Sequence, residues 1–87
     1  MSTTDLIRQR LAVLEPETYT LEDESDQHRG HAGAASGGGH FRLTIVSPRF
    51  HNLSTLARHR LVYEAMGELM QREIHALSIT ALTPEEL

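Results

Sequence analysis

Between Leu53 and Ile74 the apolar residues recur at intervals of three and four, and charged residues fill the gaps. At 100° per residue, Leu56, Val62, Tyr63, Ala65, Met66, Leu69 and Met70 share one broad side; Arg60, Glu64, Glu68, Gln71 and Arg72 share the other. This predicts an amphipathic helix over Ser54–Arg72 whose apolar face is wide enough to lie on a sheet. Ser54 can cap it, its hydroxyl accepting from a free N–H of the first turn. His59 falls near the middle of the apolar face and is expected to be buried, neutral and hydrogen-bonded to a strand backbone. Its neighbours Arg58 and Arg60 are expected to point away from the core. Another helix is predicted over Thr3–Leu14, where Ile7, Leu11 and Leu14 form a stripe with Leu6 at its edge. Asp5 suits the positive end of its dipole, and Pro16 stops it.

Elsewhere the period changes to two. Tyr19, Leu21 and Asp23 alternate with Thr20, Glu22 and Glu24, predicting a strand near Thr18–Ser25. Phe41, Leu43 and Ile45 alternate with Arg42, Thr44 and Val46, predicting a strand near His40–Ser47 that ends at Ser47-Pro48. A third strand is predicted near His75–Thr80, with His75, Leu77 and Ile79 on one face. Thr83-Pro84-Glu85-Glu86 reads as the start of one last helical turn. Helix, strand, strand, helix, strand is therefore the expected order. A strand–helix–strand crossover within one sheet is parallel and right-handed in nearly all cases. The expectation is one α+β domain over residues 1–87, in an αββαβ arrangement. Its three-stranded mixed sheet has the second strand central and helices on one face.

Asp26 to Gly39 carries five of the six glycines together with His28, Arg29 and His31. Glycine gives the backbone its widest freedom, so a flexible loop is expected over 26–39. A loop this long in so small a domain points to function or disorder. It has neither the P-loop spacing nor a G-x-G-x-x-G that opens a helix, so it is not a phosphate cradle.

Composition narrows the chemistry. With no cysteine among its 87 residues, the chain has no disulfide and no thiolate for a metal. No serine motif or paired carboxylate site supports a hydrolase or a transferase. The formal charge is −4, and all eight basic residues are arginines, which leans against a domain organised around nucleic acid. No apolar run approaches the ~20 residues of a membrane span, and no signal peptide is visible at Met1-Ser2-Thr3-Thr4-Asp5. A cytoplasmic protein, monomeric on its own, is the expectation.

Certain stretches are more specific. Asp23-Glu24-Ser25, His28 to His31, Gly39-His40-Phe41, Ile45-Val46-Ser47, Arg49-Phe50, Leu56, Arg58-His59-Arg60-Leu61-Val62-Tyr63, Ile74-His75-Ala76-Leu77 and Thr83-Pro84 run in the order seen in the BolA family. The chain resembles that family over nearly its whole length, and the resemblance implies a fold like the class II KH module. It also implies a non-enzymatic protein that binds a monothiol glutaredoxin with glutathione. Together the two proteins share a [2Fe–2S] cluster, in iron–sulfur trafficking or in iron and stress regulation. No cluster is expected in the isolated chain. Carried over by motif, His75 is implied as a ligand, joined by His28 or His31. Imidazole can replace thiolate on one iron of such a centre. The sequence departs from the family's F-x-G-K-S turn with Phe50-His51-Asn52-Leu53-Ser54. Asn52 is expected to take the left-handed conformation in place of glycine, and Leu53 removes a lysine. His40 and His51 read as ordinary surface residues.

The alternative function is a nucleic-acid-binding transcriptional regulator that uses the KH-like fold. Arg49, Arg58 and Arg60 are its candidate phosphate contacts. The G-x-x-G clamp of KH modules is missing between strand and helix, so DNA binding is expected to be weak and steeply salt-dependent.

Overall fold

Ser2 opens the first helix. Its hydroxyl accepts from the Asp5 N–H at 3.1 Å, and the Asp5 carboxylate accepts from the Ser2 N–H at 3.4 Å, closing a capping box. In the computed structural model, which describes residues 1–25 and 39–87, this helix is α1, Thr3–Leu11. The stretch Ala12–Leu14, which sequence periodicity assigns to the same helix, tightens into a 3-10 turn. Glu15 then takes a left-handed conformation (φ 49°), and Pro16 blocks any return to helix. Ile7, Leu11 and Leu14 are buried.

β1 (Thr18–Asp23) pairs antiparallel with β2 (Gly39–Val46), and β2 pairs parallel with β3 (Ile74–Leu82), so β2 is central. The strands start and end within two residues of the predicted limits. Tyr19, Ile45 and Ala81 stand in one cross-strand row, and Leu21, Leu43 and Ile79 in the next; Phe41 stands beside Leu77. Side chains alternate across a strand, so all of these share one face. That face packs against Ile7, Leu11, Leu14, Val62, Met66 and Leu69 from the helices and their 3-10 extensions. The opposite face carries Thr20, Thr44 and Thr80 in one row and Glu22, Arg42 and Ser78 in another.

Ser47 ends β2 as a buried polar residue. Its hydroxyl donates to the Leu14 carbonyl at 2.5 Å and accepts from the Arg49 N–H at 3.0 Å, tying the end of the first helical segment to the turn Pro48–Phe50. Asn52 has φ 64°, the left-handed geometry expected of it from the sequence.

α2 is shorter than its periodicity predicts. It spans Thr55–Met66, capped by Ser54 through the Ala57 N–H at 3.1 Å, and gives way to a 3-10 segment at Gly67–Gln71. Gly67 makes the break at φ 56° and ψ −130°, a conformation that side-chain-bearing residues avoid. The helix is also rotated from expectation. Its buried stripe runs through Val62 and Met66, while Leu56 and Tyr63 are 62% and 41% exposed. His59 therefore lies at the border of the core rather than at its centre. It is half-buried, with no hydrogen-bond partner among the described residues. The inward-facing polar residue is Arg58, whose side chain is only 13% exposed. Summed apolarity could not locate this face, because Leu56 and Tyr63 weight the wheel towards solvent.

Candidate metal and partner site

The two ends of β3 are built differently. At its start the pairing with β2 slips: Gly39 stands opposite Ile74, but His40 stands opposite Ala76. His75 is the extra residue of a bulge, a device that re-aims a side chain. It is exposed, and the His40 ring lies against it, with centroids 4.9 Å apart and planes inclined at 38°.

The backbone beneath this pair is held firmly. The Gly39 N–H donates to the Glu73 carbonyl at 2.8 Å, the His40 N–H to Ser25 Oγ at 3.1 Å, and the Glu24 N–H to the His40 carbonyl at 2.7 Å. A side chain at Gly39 would meet the Phe41 ring at 2.6 Å and Ser25 Oγ at 2.8 Å, so glycine is required by close approach. Asp23 accepts from the Ser25 N–H at 2.9 Å, and bonding to Ser25 holds its carboxyl below the usual range. Arg42 pairs with Glu24 at 3.3 Å beside the site.

Among the described residues no group of three or more histidines, cysteines or acidic residues could hold a metal. The described residues at the start of β3 thus bring two imidazoles side by side. His28 and His31 lie outside the described residues. His40, read from sequence as an ordinary surface residue, is the one the structure brings to His75. A signal was available: setting Phe41 opposite Leu77, as their shared burial requires, puts His40 one residue from His75.

At the far end of β3 charge is used for fastening. Arg58 Nε donates to the Leu53 carbonyl at 2.9 Å, and Nη1 to the Ala81 carbonyl at 3.0 Å. Its two Nη atoms also grip the Glu86 carboxylate, at 2.6 and 3.2 Å. Glu86 accepts in addition from the Thr83 N–H at 2.7 Å. Bonding to Arg58, then to Thr83, lowers its pKa to about 2. The candidate phosphate contacts therefore differ sharply. Arg58 is consumed by this clasp; Arg49 is bonded to Glu15 at 3.2 Å and to the Val13 carbonyl at 3.4 Å. Arg60 is exposed and makes no ion pair among the described residues. It borders a shallow apolar groove of about 230 Å³ with Leu53, Ala57, Leu61 and Glu64.

Among the described residues no helix is long and apolar enough to cross a membrane. The molecule is thus an αββαβ domain with one covered sheet face and an exposed histidine at the start of its last strand. Comparison with known proteins supplies the family. The model of the BolA-like protein family matches residues 11–86, and the chain belongs to that family. It is 46% identical over 74 residues to BolA-like protein 1 of Mus musculus, covering 85% of this chain and 52% of that one. The chain thus spans about half the length of that relative. It is 34% identical over 87 residues to a protein of Haemophilus influenzae named DNA-binding transcriptional regulator BolA, covering 99% of this chain and 82% of the relative. Among solved structures, BolA1 from Arabidopsis thaliana superposes with a TM-score of 0.85 at 38% identity, covering 100% of this chain and 97% of the other.

Proposed function

We propose that this chain is a non-enzymatic adaptor that binds a monothiol glutaredoxin and shares a [2Fe–2S] cluster with it and with glutathione, in iron–sulfur trafficking or in iron and stress regulation. One observation carries the reading: His75 stands exposed on a bulge beside a second imidazole, with no third donor among the described residues. Such a site suits a metal group whose remaining ligands come from a partner. The donor chemistry fits as well, because a chain without thiols can offer a cluster only nitrogen or oxygen. His75 is the first ligand in this reading, and the family resemblance adds His28 or His31. The cluster would supply the electron-accepting iron, and the chain would supply imidazole nitrogen to it. A cytoplasmic setting and a monomeric free chain belong to the same proposal.

The test is reconstitution with a monothiol glutaredoxin, glutathione, iron and sulfide, followed by gel filtration and visible spectroscopy. A coloured heterodimer is expected, and His75→Ala is expected to change its spectrum or shorten the life of the cluster. A wild-type spectrum and lifetime in that variant would remove His75 as a ligand, and failure to form any complex would remove the adaptor reading.

The regulatory name of the Haemophilus influenzae relative favours DNA binding as the second reading. With Arg49 and Arg58 engaged in internal bonds, Arg60 is the freest of the three candidates. Weak binding is expected, with a salt dependence shallower than the steep one the three arginines suggest in sequence, since each phosphate contact adds about 0.9 to the slope of log K against log salt and two of the three arginines are engaged. Tight, sequence-selective binding at physiological salt would put this reading first.

A further inference from the structure

We propose that the free edge of β3 is a docking site for an extended, uncharged segment of another protein, which adds to the sheet as a fourth strand along Leu77–Ala81. Hydrogen-bond direction is the first argument. The Ser47 N–H donates to the Leu82 carbonyl at 2.9 Å, so Leu82 turns its backbone bonds towards β2. In a parallel pair alternate residues do so, which leaves Leu77, Ile79 and Ala81 facing the other way. The Ala81 carbonyl shows the direction, because Arg58 Nη1 reaches it from beyond the sheet at 3.0 Å. The strand order β1-β2-β3 gives β3 no second neighbour, and the outward groups of Leu77 and Ile79 have no partner among the described residues.

Charge is the second argument. An edge strand is a template for pairing, and proteins usually blunt it with charges or proline. β1, the other edge, carries Glu22 and Asp23 and follows Pro16 and Glu17. β3 runs for nine residues, Ile74–Leu82, without an acidic residue, a lysine, an arginine or a proline. The rows of the sheet then define the occupant. On the core face Leu21, Leu43 and Ile79 form one row and Tyr19, Ile45 and Ala81 the next, and Ile79 and Ala81 end them half-buried. Arg58, Leu61 and Ala65 share one side of α2 by their spacing, and Leu61 and Ala65 are only partly buried. An added strand completes these rows with apolar residues at alternate positions. Its other face meets the exposed Ser78 and Thr80 with small polar residues. A second copy of the chain is a poorer occupant. Two such edges about a two-fold axis, with Leu77 opposite Ile79, would set each Ala81 against the bulge at His75. Full pairing at Leu77 and Ile79 alone is too little for the roughly 1,200–2,000 Å² that a specific dimer buries.

This edge needs no metal and no glutathione, so its test is separate from that of the adaptor reading. The experiment uses the full chain and a synthetic peptide of alternating valine and threonine, blocked at both ends and carrying one terminal lysine for solubility. Binding is followed by amide NMR and hydrogen exchange. The amides of Leu77, Ile79 and Ala81 are expected to shift most, and to exchange more slowly with peptide bound. Methylating two valine nitrogens blocks the bonds of an antiparallel added strand; methylating two threonine nitrogens blocks those of a parallel one. One set should weaken binding about tenfold, the loss of two backbone hydrogen bonds, and the other should leave it unchanged. Ile79→Pro removes an outward N–H, which an edge strand tolerates, and should abolish peptide binding in a folded chain. A melting curve checks that variant; if it unfolds, the methylated peptides on the wild type decide alone. No binding at about 1 mM peptide, equal losses from both methylated sets, or shifts centred away from β3 would overturn the proposal. Shifts at Leu77 and Ile79 that follow protein concentration without peptide would overturn the choice of occupant in favour of a second copy.

Discussion

β3 is fastened at one end and open at the other. At its C-terminal end, Arg58 ties α2 to the Ala81 carbonyl and to Glu86, and Glu86 in turn caps the last turn through the Thr83 N–H. At its N-terminal end, a bulge turns His75 outward against His40, and the His75 side chain makes no hydrogen bond or ion pair among the described residues. Both ends carry residues from the most recognisable motifs in the sequence. The difference teaches that a motif residue serves structure where its bonding is completed inside the chain, and is available for function where it is not. The Arg58 side chain makes four hydrogen bonds to its own fold; the His75 side chain makes none among the described residues.

The strongest way to break this comparison is to remove the clasp. Arg58→Ala strands the Ala81 and Leu53 carbonyls and frees Glu86 from its bidentate partner. A large fall in melting temperature is expected, exceeding that of Gly67→Ala or either histidine variant, measured by circular dichroism. Arg58→Lys should recover only part of it, because an ammonium cannot reproduce the planar fork. If Arg58→Ala melted like the wild type, the clasp would be ornamental and the contrast between the two ends would fail.

The path from α2 to the open end runs through Gly67. Gly67→Ala forces a side chain into a φ of 56° and brings it to 3.0 Å from Arg10 Nη1. That nitrogen donates to the Met66 carbonyl and the guanidinium pairs with Glu68, so the new methyl would disturb the lock on the end of the helix. A loss of about 1–3 kcal/mol in urea unfolding is expected, the usual range for a strained backbone position. A smaller loss would mean that the 3-10 segment yields, and the histidine spectra would then shift with it.

Much of this was legible from the chain alone. Strand alternation located β1, β2 and β3, and the crossover rule placed β2 in the middle. Asn52 was expected in the left-handed conformation and adopts it. What was not legible has physical causes. The wheel placed His59 at the core because Leu56 and Tyr63 are apolar, yet both face solvent; periodicity counts hydrophobic residues and cannot tell a buried one from a partner-facing one. Arg58 was assigned outward because charge usually is, and only its bonds to Leu53, Ala81 and Glu86 make an inward guanidinium tolerable. Pairing Phe41 with Leu77 brings His40 near His75, but the one-residue slip that makes His75 a bulge is something no periodicity reports.

Acid titration separates the two ends more gently. Glu86 titrates at about 2 in the fold, against about 4.3 for an unfolded glutamate. Because the folded value is depressed, the carboxylate's contribution is complete above the unfolded pKa and is lost as pH falls towards the folded one. Wild-type stability should therefore decline between about pH 4.5 and 2, with Glu68 and Asp23, also held low, acting in the same direction. In Arg58→Ala the decline should be shallower, because Glu86 has lost the main cause of its shift. Equal acid slopes for the two proteins would show that other carboxylates govern the window.

The smallest effects are expected from the two histidines that sequence motifs bring forward. His59 is half-buried at the edge of the core and has no hydrogen-bond partner among the described residues. His59→Ala should change unfolding free energy by no more than about 0.5 kcal/mol, as at most positions away from a packed or bonded feature. A buried imidazole at the centre of the face would instead cost about 1–3 kcal/mol through its orphaned partner. His75→Ala should be as mild, since the ring is exposed and the bulge is a backbone feature. Stability alone therefore cannot separate the two variants, whereas metal can. His59→Ala should hold a shared cluster as the wild type does, while His75→Ala should alter its spectrum or shorten its life. If both variants lost metal equally, binding would follow the integrity of the domain rather than the open end of β3. If His59→Ala alone destabilised the protein by more than 1 kcal/mol, the rotation that turns Arg58 inward and His59 to the border would be the feature to reconsider.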